Sequence, residues 1–380
     1  MFRIILIIFC FLLSLFTIMP VPSHYVWYLG IMASEFPWVF LGVLIVLLAG
    51  SIMAKRYRVP GIIISLIAFI LFLFPIIGAY RIAGNLDQRI ASGFSVNDLP
   101  STGFQQDKPY TFGRMISGIG AGHIPYTTYT YATHTGVALT LDFFKAPQPA
   151  VRPCVVVVHG GSWKSGNSHE LPDVTSRMAR EGYNVASINY RLAPAYKSPA
   201  PVEDVRAALT YLRAHAAELN VDTNNFVLLG RSAGGQIVLA SAYTLNDPGI
   251  KGVISFYGPT DMAWAYNHPD NPLIMDSKKV MSDFFGGTLS ELPQNYKAGS
   301  ATAFVTALTV PTLLVHGGND AHVHYEESEI LDKKLEQYHV KHLLLGLPWA
   351  THGCEYSLNG PSGQLSSYAV ERFLYIVTHK

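Results

Sequence analysis

Phe226-Val227-Leu228-Leu229-Gly230-Arg231-Ser232-Ala233-Gly234-Gly235 is the stretch from which the rest of the chain is read. Four apolar residues make a buried strand, and Gly235 to Tyr243 continues as a helix, so Ser232 sits on the turn between them. The turn fits G-x-S-x-G. Its glycines leave room for a strand and a helix to pass close by, and the strained turn lifts the serine oxygen off the sheet. Five residues recur by chance in long chains, so the flanking strand and helix carry the weight.

Outward from this turn, strands and helices alternate. Thr127 to Ala132 and Val137 to Phe144, joined through His134-Thr135-Gly136, predict a hairpin. Cys154 to Val158 is a continuous apolar run, the pattern of a strand buried on both faces. Further strands are expected at Val185 to Tyr190, Gly252 to Tyr257, Thr312 to His316 and His342 to Leu345. Helices are expected at Val174 to Glu181, Val202 to Leu219, Glu326 to Gln337 and Leu365 to Thr378. Such alternation predicts an α/β fold, a mostly parallel sheet covered on both faces, with its site beyond the carboxyl ends of the strands. Met262 to Thr302 breaks the rhythm and reads as an inserted cap, while residues 85–125 read as a linker or partial cap.

Three other places supply partners for Ser232. His159-Gly160-Gly161-Ser162-Trp163 follows the Val-rich strand, where a Gly-Gly pair turns backbone N–H groups inward. Gly160, Gly161, Ser162 and Ala233 are therefore the candidate oxyanion hole, whose donors are each worth roughly a hundredfold to a thousandfold. Asp320, in His316-Gly317-Gly318-Asn319-Asp320, ends a later strand and is the candidate acid. His352 follows the carboxyl end of the last strand, whereas His339 and His342 flank that strand's start and His379 ends the chain. The order serine, acid, histidine then makes His352 the base. Trp163, Tyr190, Tyr257 and Trp264 are candidate pocket residues. His322 and His324, lacking a third ligand, read as solvated rather than as a metal pair, and no metal or organic cofactor is called for.

The first eighty residues differ. Apolar runs at Ile4 to Met19, Phe36 to Ala54 and Gly61 to Tyr80 predict three transmembrane helices, so residues 1–84 read as a membrane region partnered by the lipid bilayer. Arg3 precedes the first run, Lys55, Arg56 and Arg58 follow the second, and the loop from Pro20 to Glu35 has neither Lys nor Arg. Positive charge stays inside, so the domain 126–380 is expected on the non-cytoplasmic side. Cys10, Cys154 and Cys354 have no metal spacing and imply no disulfide framework. A net charge of +1, with both signs interspersed, argues against nucleic acid as partner.

From about Thr127 to His379 the chain resembles the hormone-sensitive-lipase-like branch of the α/β-hydrolases, which includes the bacterial acetyl esterases. The resemblance is carried by His159 to Trp163, Tyr190-Arg191-Leu192-Ala193-Pro194, Pro201 to Asp204, Gly230 to Gly235, Asp320 and His352. It implies a serine hydrolase of carboxylic esters. The multispan amino terminus is atypical of the soluble members, so the substrate is not carried over from them. The chain itself is expected to act on short-chain acyl or acetyl esters of small molecules, lipids or glycans, while its apolar runs anchor it in a bacterial cytoplasmic membrane. Ser162 stands where many members carry a third glycine, and Cys354 where His-Gly-Phe is usual. Arg191 and Asp204 read as structural. Two other functions fit the same residues. A serine peptidase would need a larger domain to admit peptides than residues 85–125 can build. An inactive membrane-anchored binding module would ordinarily have lost one of Ser232, Asp320 and His352.

Overall fold

A computed structural model describes residues 1–97, 103–118, 122–134 and 136–379. Thr135 of the expected hairpin turn, and residues 98–102 and 119–121 of the expected linker, lie outside the described residues.

Among the described residues, eight strands form one sheet: β1 Tyr126–His134, β2 Val137–Phe144, β3 Arg152–Val158, β4 Asn184–Ile188, β5 Val221–Arg231, β6 Ile250–Phe256, β7 Thr312–Gly317 and β8 His342–Leu347. Their order is β1-β2-β4-β3-β5-β6-β7-β8. β1 pairs antiparallel with β2, and β2 antiparallel with β4; all later neighbours run parallel. Val155 to Val158 are at most 1% exposed because helices cover both faces, which is why the run shows no alternation. After β3 the chain crosses to β4 on one side and then returns to β5 on the other. The crevice between β3 and β5 opens at that reversal, where such sheets bind ligands.

The helix Glu326–Gln337 has its expected bounds, and Ala233–Thr244 and Pro361–Thr378 extend the expected ones. The expected helix from Val202 to Leu219 forms as Ala200–Ala214 and Ala216–Leu219, interrupted at His215. Met262 to Thr302 contains three short helices, Met262–Asn267, Ser277–Phe285 and Pro293–Gly299. Phe284 of this insert stacks on Trp163 at 4.6 Å.

The amino-terminal region departs from expectation. Its helices are α1 Phe2–Leu15, α2 Trp27–Glu35, α3 Pro37–Met53, α4 Arg58–Ala83 and α5 Leu86–Phe94. At about 1.5 Å per residue, α1 spans roughly 21 Å and α3 roughly 25 Å, short of a hydrocarbon core of about 30 Å. α4, with 26 residues, is long and apolar enough to cross a membrane. The residues from His24 to Met53 pass the same test only as a pair bent by 82°. The bend falls at Phe36, whose φ of −121° and ψ of 40° leave the helical region before Pro37 opens α3. In place of three straight spans, one helix of spanning length stands beside a short helix and a broken pair.

Arg3 donates to the carbonyls of Gly50 and Arg56 at 2.7 and 2.8 Å, so the chain start and the basic loop share one end of this bundle. Ile8, Phe9 and Leu12 of α1, Val46 of α3 and Ile63 and Ile70 of α4 face outward and are exposed. The other end merges with the sheet domain. Gly78 of α4 lies so close to Trp349 that an added Cβ would sit 2.4 Å from its ring. α5 covers the β8 edge, where Arg89 donates to the Leu344 carbonyl at 2.8 Å. The described residues that follow pack on the closing helix Pro361–Thr378, as when Gln106 donates to the Gln364 carbonyl at 3.0 Å. They do not roof the site as a cap would.

Candidate active site

Ser232 follows β5 directly, with φ 53° and ψ −120°, a conformation strained for a residue with a Cβ. The two motif glycines permit it. A Cβ on Gly230 would lie 2.1 Å from the Gly234 carbonyl, and one on Gly234 2.2 Å from the Val158 carbonyl. The Ser232 N–H donates to the Phe256 carbonyl at 2.9 Å, fixing the turn on the neighbouring strand.

The loop after β3 passes over this turn with positive φ at three consecutive residues, Gly161 (107°), Ser162 (54°) and Trp163 (59°). Of the four candidate donors, Gly160 is taken: its N–H donates to Glu170 Oε2 at 2.8 Å. The N–H groups of Gly161, Ser162 and Ala233 find no acceptor among the described residues. They remain the candidate donors to an oxyanion.

Asp320 and His352 come together from the loops after β7 and β8, with His352 Nδ1 2.7 Å from Asp320 Oδ2. Asp320 Oδ1 accepts the N–H groups of His322 and Val323 at 2.8 and 3.0 Å. His316 Nε2 lies 3.3 Å from Oδ2. Burial would push the Asp320 carboxyl up, yet the charge of His352 and the bonds from His316 and His352 hold it well below the usual carboxylate range. For His352, burial pulls down, but the Asp320 charge and hydrogen bond lift it above the ordinary histidine value.

Ser232 and His352 face one cavity of about 370 Å³, within the range of small-molecule pockets. Of the four candidate pocket residues, Trp163 and Tyr257 line it. Tyr257 packs 4.2 Å from the His352 ring and sends its hydroxyl to Glu355. Tyr190 and Trp264 are not among its lining residues. Tyr190 is buried in a stack on His159 at 4.3 Å, and Trp264 stacks on His268 at 4.1 Å. Arg191 and Asp204 are joined by two 2.8 Å bonds away from the cavity, the structural role expected of them.

Sequence reasoning missed several cavity residues. His322, expected in solvent, stacks on His352 at 4.9 Å, and burial with the charge of His352 lowers it to about 3. Asp320, His322 and His352 bring three potential ligand atoms within 4.8 Å of one another. Asp270 lines the wall, raised to about 7 by burial first and the Asp320 charge second. His24 and Trp27, from the segment between α1 and α3, also line it. Asp270 lay within the expected cap, but nothing local marks His24 or Trp27, since their partners are about 300 residues away.

The family model BD-FAE matches residues 141–335, which includes β3 to β7 and Ser232. Among curated proteins, the chain is similar to a probable carboxylic ester hydrolase, LipM, of Mycobacterium tuberculosis. The two are 26% identical over 271 residues, which is 67% of this chain and 60% of that one. Esterase LipC of the same organism is 27% identical over 238 residues, 58% of each chain. The chain thus spans about 60% of the length of these relatives. Among solved structures, a truncated carbohydrate esterase from gut microbiota superposes with a TM-score of 0.57 at 21% identity. It covers 69% of this chain and all of its own, a likeness of fold.

Proposed function

The chain belongs to the BD-FAE family, and we propose that it is a carboxylic ester hydrolase working through an acyl-enzyme on Ser232. The observation that carries this reading is the meeting of three parts at one cavity: a strained serine, a histidine bonded to a buried carboxylate, and three unengaged N–H groups. His352 takes the Ser232 proton as Oγ attacks the ester carbonyl, and Gly161, Ser162 and Ala233 hold the oxyanion. Collapse expels the alcohol, which recovers its proton from His352. Water, deprotonated by His352, then attacks the acyl carbon and releases the acid and Ser232.

The names borne by LipM and LipC support an ester substrate, and the cavity volume suits short acyl or acetyl esters. The motifs from His159 to His352 support placement near the hormone-sensitive-lipase-like esterases. For the membrane, the reading is that residues 1–84 sit in a bilayer and the domain 126–380 works on the non-cytoplasmic side. Support comes from the spanning length of α4, the outward apolar faces, and the gathering of Arg3 and Arg56 at one end.

The test is hydrolysis of p-nitrophenyl acetate by the full chain in detergent, followed by acyl esters from C2 to C16. Ser232→Ala is expected to lower turnover by several powers of ten. Turnover that survives this substitution overturns the assignment of Ser232.

A further inference from the structure

We propose that His24 and Trp27, from the segment between α1 and α3, form a working wall of the catalytic pocket and that Trp27 positions His352. The proposal rests on the esterase reading of the site and assigns that site a part that lies outside the sheet domain.

Trp27 grips the loop that carries His352. Its Nε1 donates to the His352 carbonyl at 2.8 Å, and its ring lies 5.1 Å from His322 and edge-on to Tyr356 at 5.7 Å. His322 in turn stacks on His352, so the base is held between the Asp320 carboxylate and an aromatic layer that ends in Trp27. His24 extends this layer, stacking on Trp27 at 5.7 Å and placing Nδ1 3.3 Å from His322 Nε2.

The segment is fixed at both ends against the catalytic body. At the start, the His24 N–H donates to the Leu273 carbonyl at 3.0 Å, and Asn271 donates to the Pro22 carbonyl at 3.2 Å. Both partners belong to the cap insert, so the segment and the insert close the pocket together. At the end, Glu35, 1% exposed, accepts the Ser362 N–H at 3.0 Å at the opening of the closing helix. Between them, Gly30 packs near Thr351, the residue before His352.

A general base must keep its orientation, and a misplacement of about 1 Å costs about a hundredfold in rate. The His352 carbonyl, partly buried, loses its donor when the indole N–H is removed, and the loop then relaxes against the weaker restraint of packing alone. The amino-terminal region is accordingly a component of the site rather than a detachable tether.

The experiment compares the full-length wild type with Trp27→Phe, Trp27→Ala and Tyr25→Ala, Tyr25 being an exposed neighbour on the same segment. Readouts are kcat and KM on p-nitrophenyl acetate, the rate of Ser232 labelling by a fluorophosphonate, and the thermal midpoint. Trp27→Phe keeps an aromatic ring, though a smaller one, and loses the N–H. It is expected to lower kcat and the labelling rate by about tenfold to a hundredfold, with KM and midpoint close to wild type, and Tyr25→Ala is expected to match wild type. Unchanged labelling in both Trp27 variants overturns the proposal, as does a loss confined to KM or an equal loss in Tyr25→Ala. Labelling needs the activated serine but no ester. A wrong ester assignment would therefore appear as wild-type labelling without ester turnover, a different result from unchanged labelling in the Trp27 variants.

Discussion

His352 Nδ1 lies 2.7 Å from Asp320 Oδ2, and the same carboxylate accepts two backbone N–H groups through its other oxygen. These bonds orient the carboxylate, and the carboxylate sets the histidine tautomer and stabilises its charged form. With His352 as the proposed base, which works when neutral, activity rises as pH passes upward through its pKa. Burial lowers the His352 pKa, but Asp320 lifts it above the ordinary 6.5. The acidic limb of kcat/KM against pH is therefore expected to centre above 6.5. Asp320→Asn removes the lifting charge and leaves burial, so the limb should move to lower pH while kcat falls by roughly ten-thousandfold. A pH profile whose limb stays in place in Asp320→Asn would show that another group titrates there.

Glu170 holds the Gly160 N–H at 2.8 Å and so anchors the start of the loop that presents the Gly161 and Ser162 N–H groups. Removing the acceptor leaves a part-buried donor unpaired, at a cost of about 1–3 kcal/mol. Glu170→Ala is expected to lower kcat on p-nitrophenyl acetate about tenfold or more, since one misplaced oxyanion donor is worth roughly a hundredfold. Glu170→Gln keeps an acceptor oxygen and is expected to stay within a few-fold of wild type. Equal loss in both would place the need in the charge rather than in the hydrogen bond.

The candidate triad could be read in the sequence because each of its parts follows a strand built on an apolar run. Val155 to Val158 and Phe226 to Leu229 announce buried parallel strands, and Gly160, Ser232, Asp320 and His352 follow the ends of theirs. The amino-terminal region was less legible, because hydropathy measures how apolar a run is and not where its helix breaks. The 82° turn falls at Phe36, where the expected second run begins; what hydropathy did not mark is that the loop before it, Pro20 to Glu35, holds the helix Trp27–Glu35. Trp27 was illegible for a different reason. Its bond to the His352 carbonyl joins positions 325 apart, and no periodicity within the segment encodes such a contact. Tyr190, an aromatic read as a candidate pocket residue, instead stacks on His159.

Arg231 and Glu355 form a 3.0 Å ion pair with both side chains 1% exposed, directly behind the serine turn. Breaking such a pair strands a charge away from water, at about 3–5 kcal/mol, whereas replacing both partners by apolar residues of similar size is often neutral. Arg231→Met is expected to lower the thermal midpoint strongly, and Arg231→Met combined with Glu355→Leu to recover much of that loss. A double variant as unstable as the sum of the single ones would mean that the Tyr257 hydroxyl, which also bonds Glu355, carries the need for the carboxylate.

Leu308, 93% exposed on the sheet domain, and Lys55, in the basic loop between α3 and α4, test the sidedness of the chain. The native cysteines Cys10, Cys154 and Cys354 are all buried, so a surface cysteine reports against a low background. With Arg3 and Arg56 gathered at one end of the helices and positive charge retained inside, Leu308→Cys is expected to react with a membrane-impermeant maleimide in intact cells. Lys55→Cys should react only after the cells are opened. Ile70, exposed near the middle of α4, adds a second reading. A lysine at the centre of a spanning helix costs about 2.5–3.5 kcal/mol on insertion, so Ile70→Lys should reduce the membrane-bound fraction while Ile70→Leu should not. If Ile70→Lys remains fully membrane-bound and Lys55→Cys labels in intact cells, α4 does not cross the bilayer, and its outward apolar face must be covered in some other way.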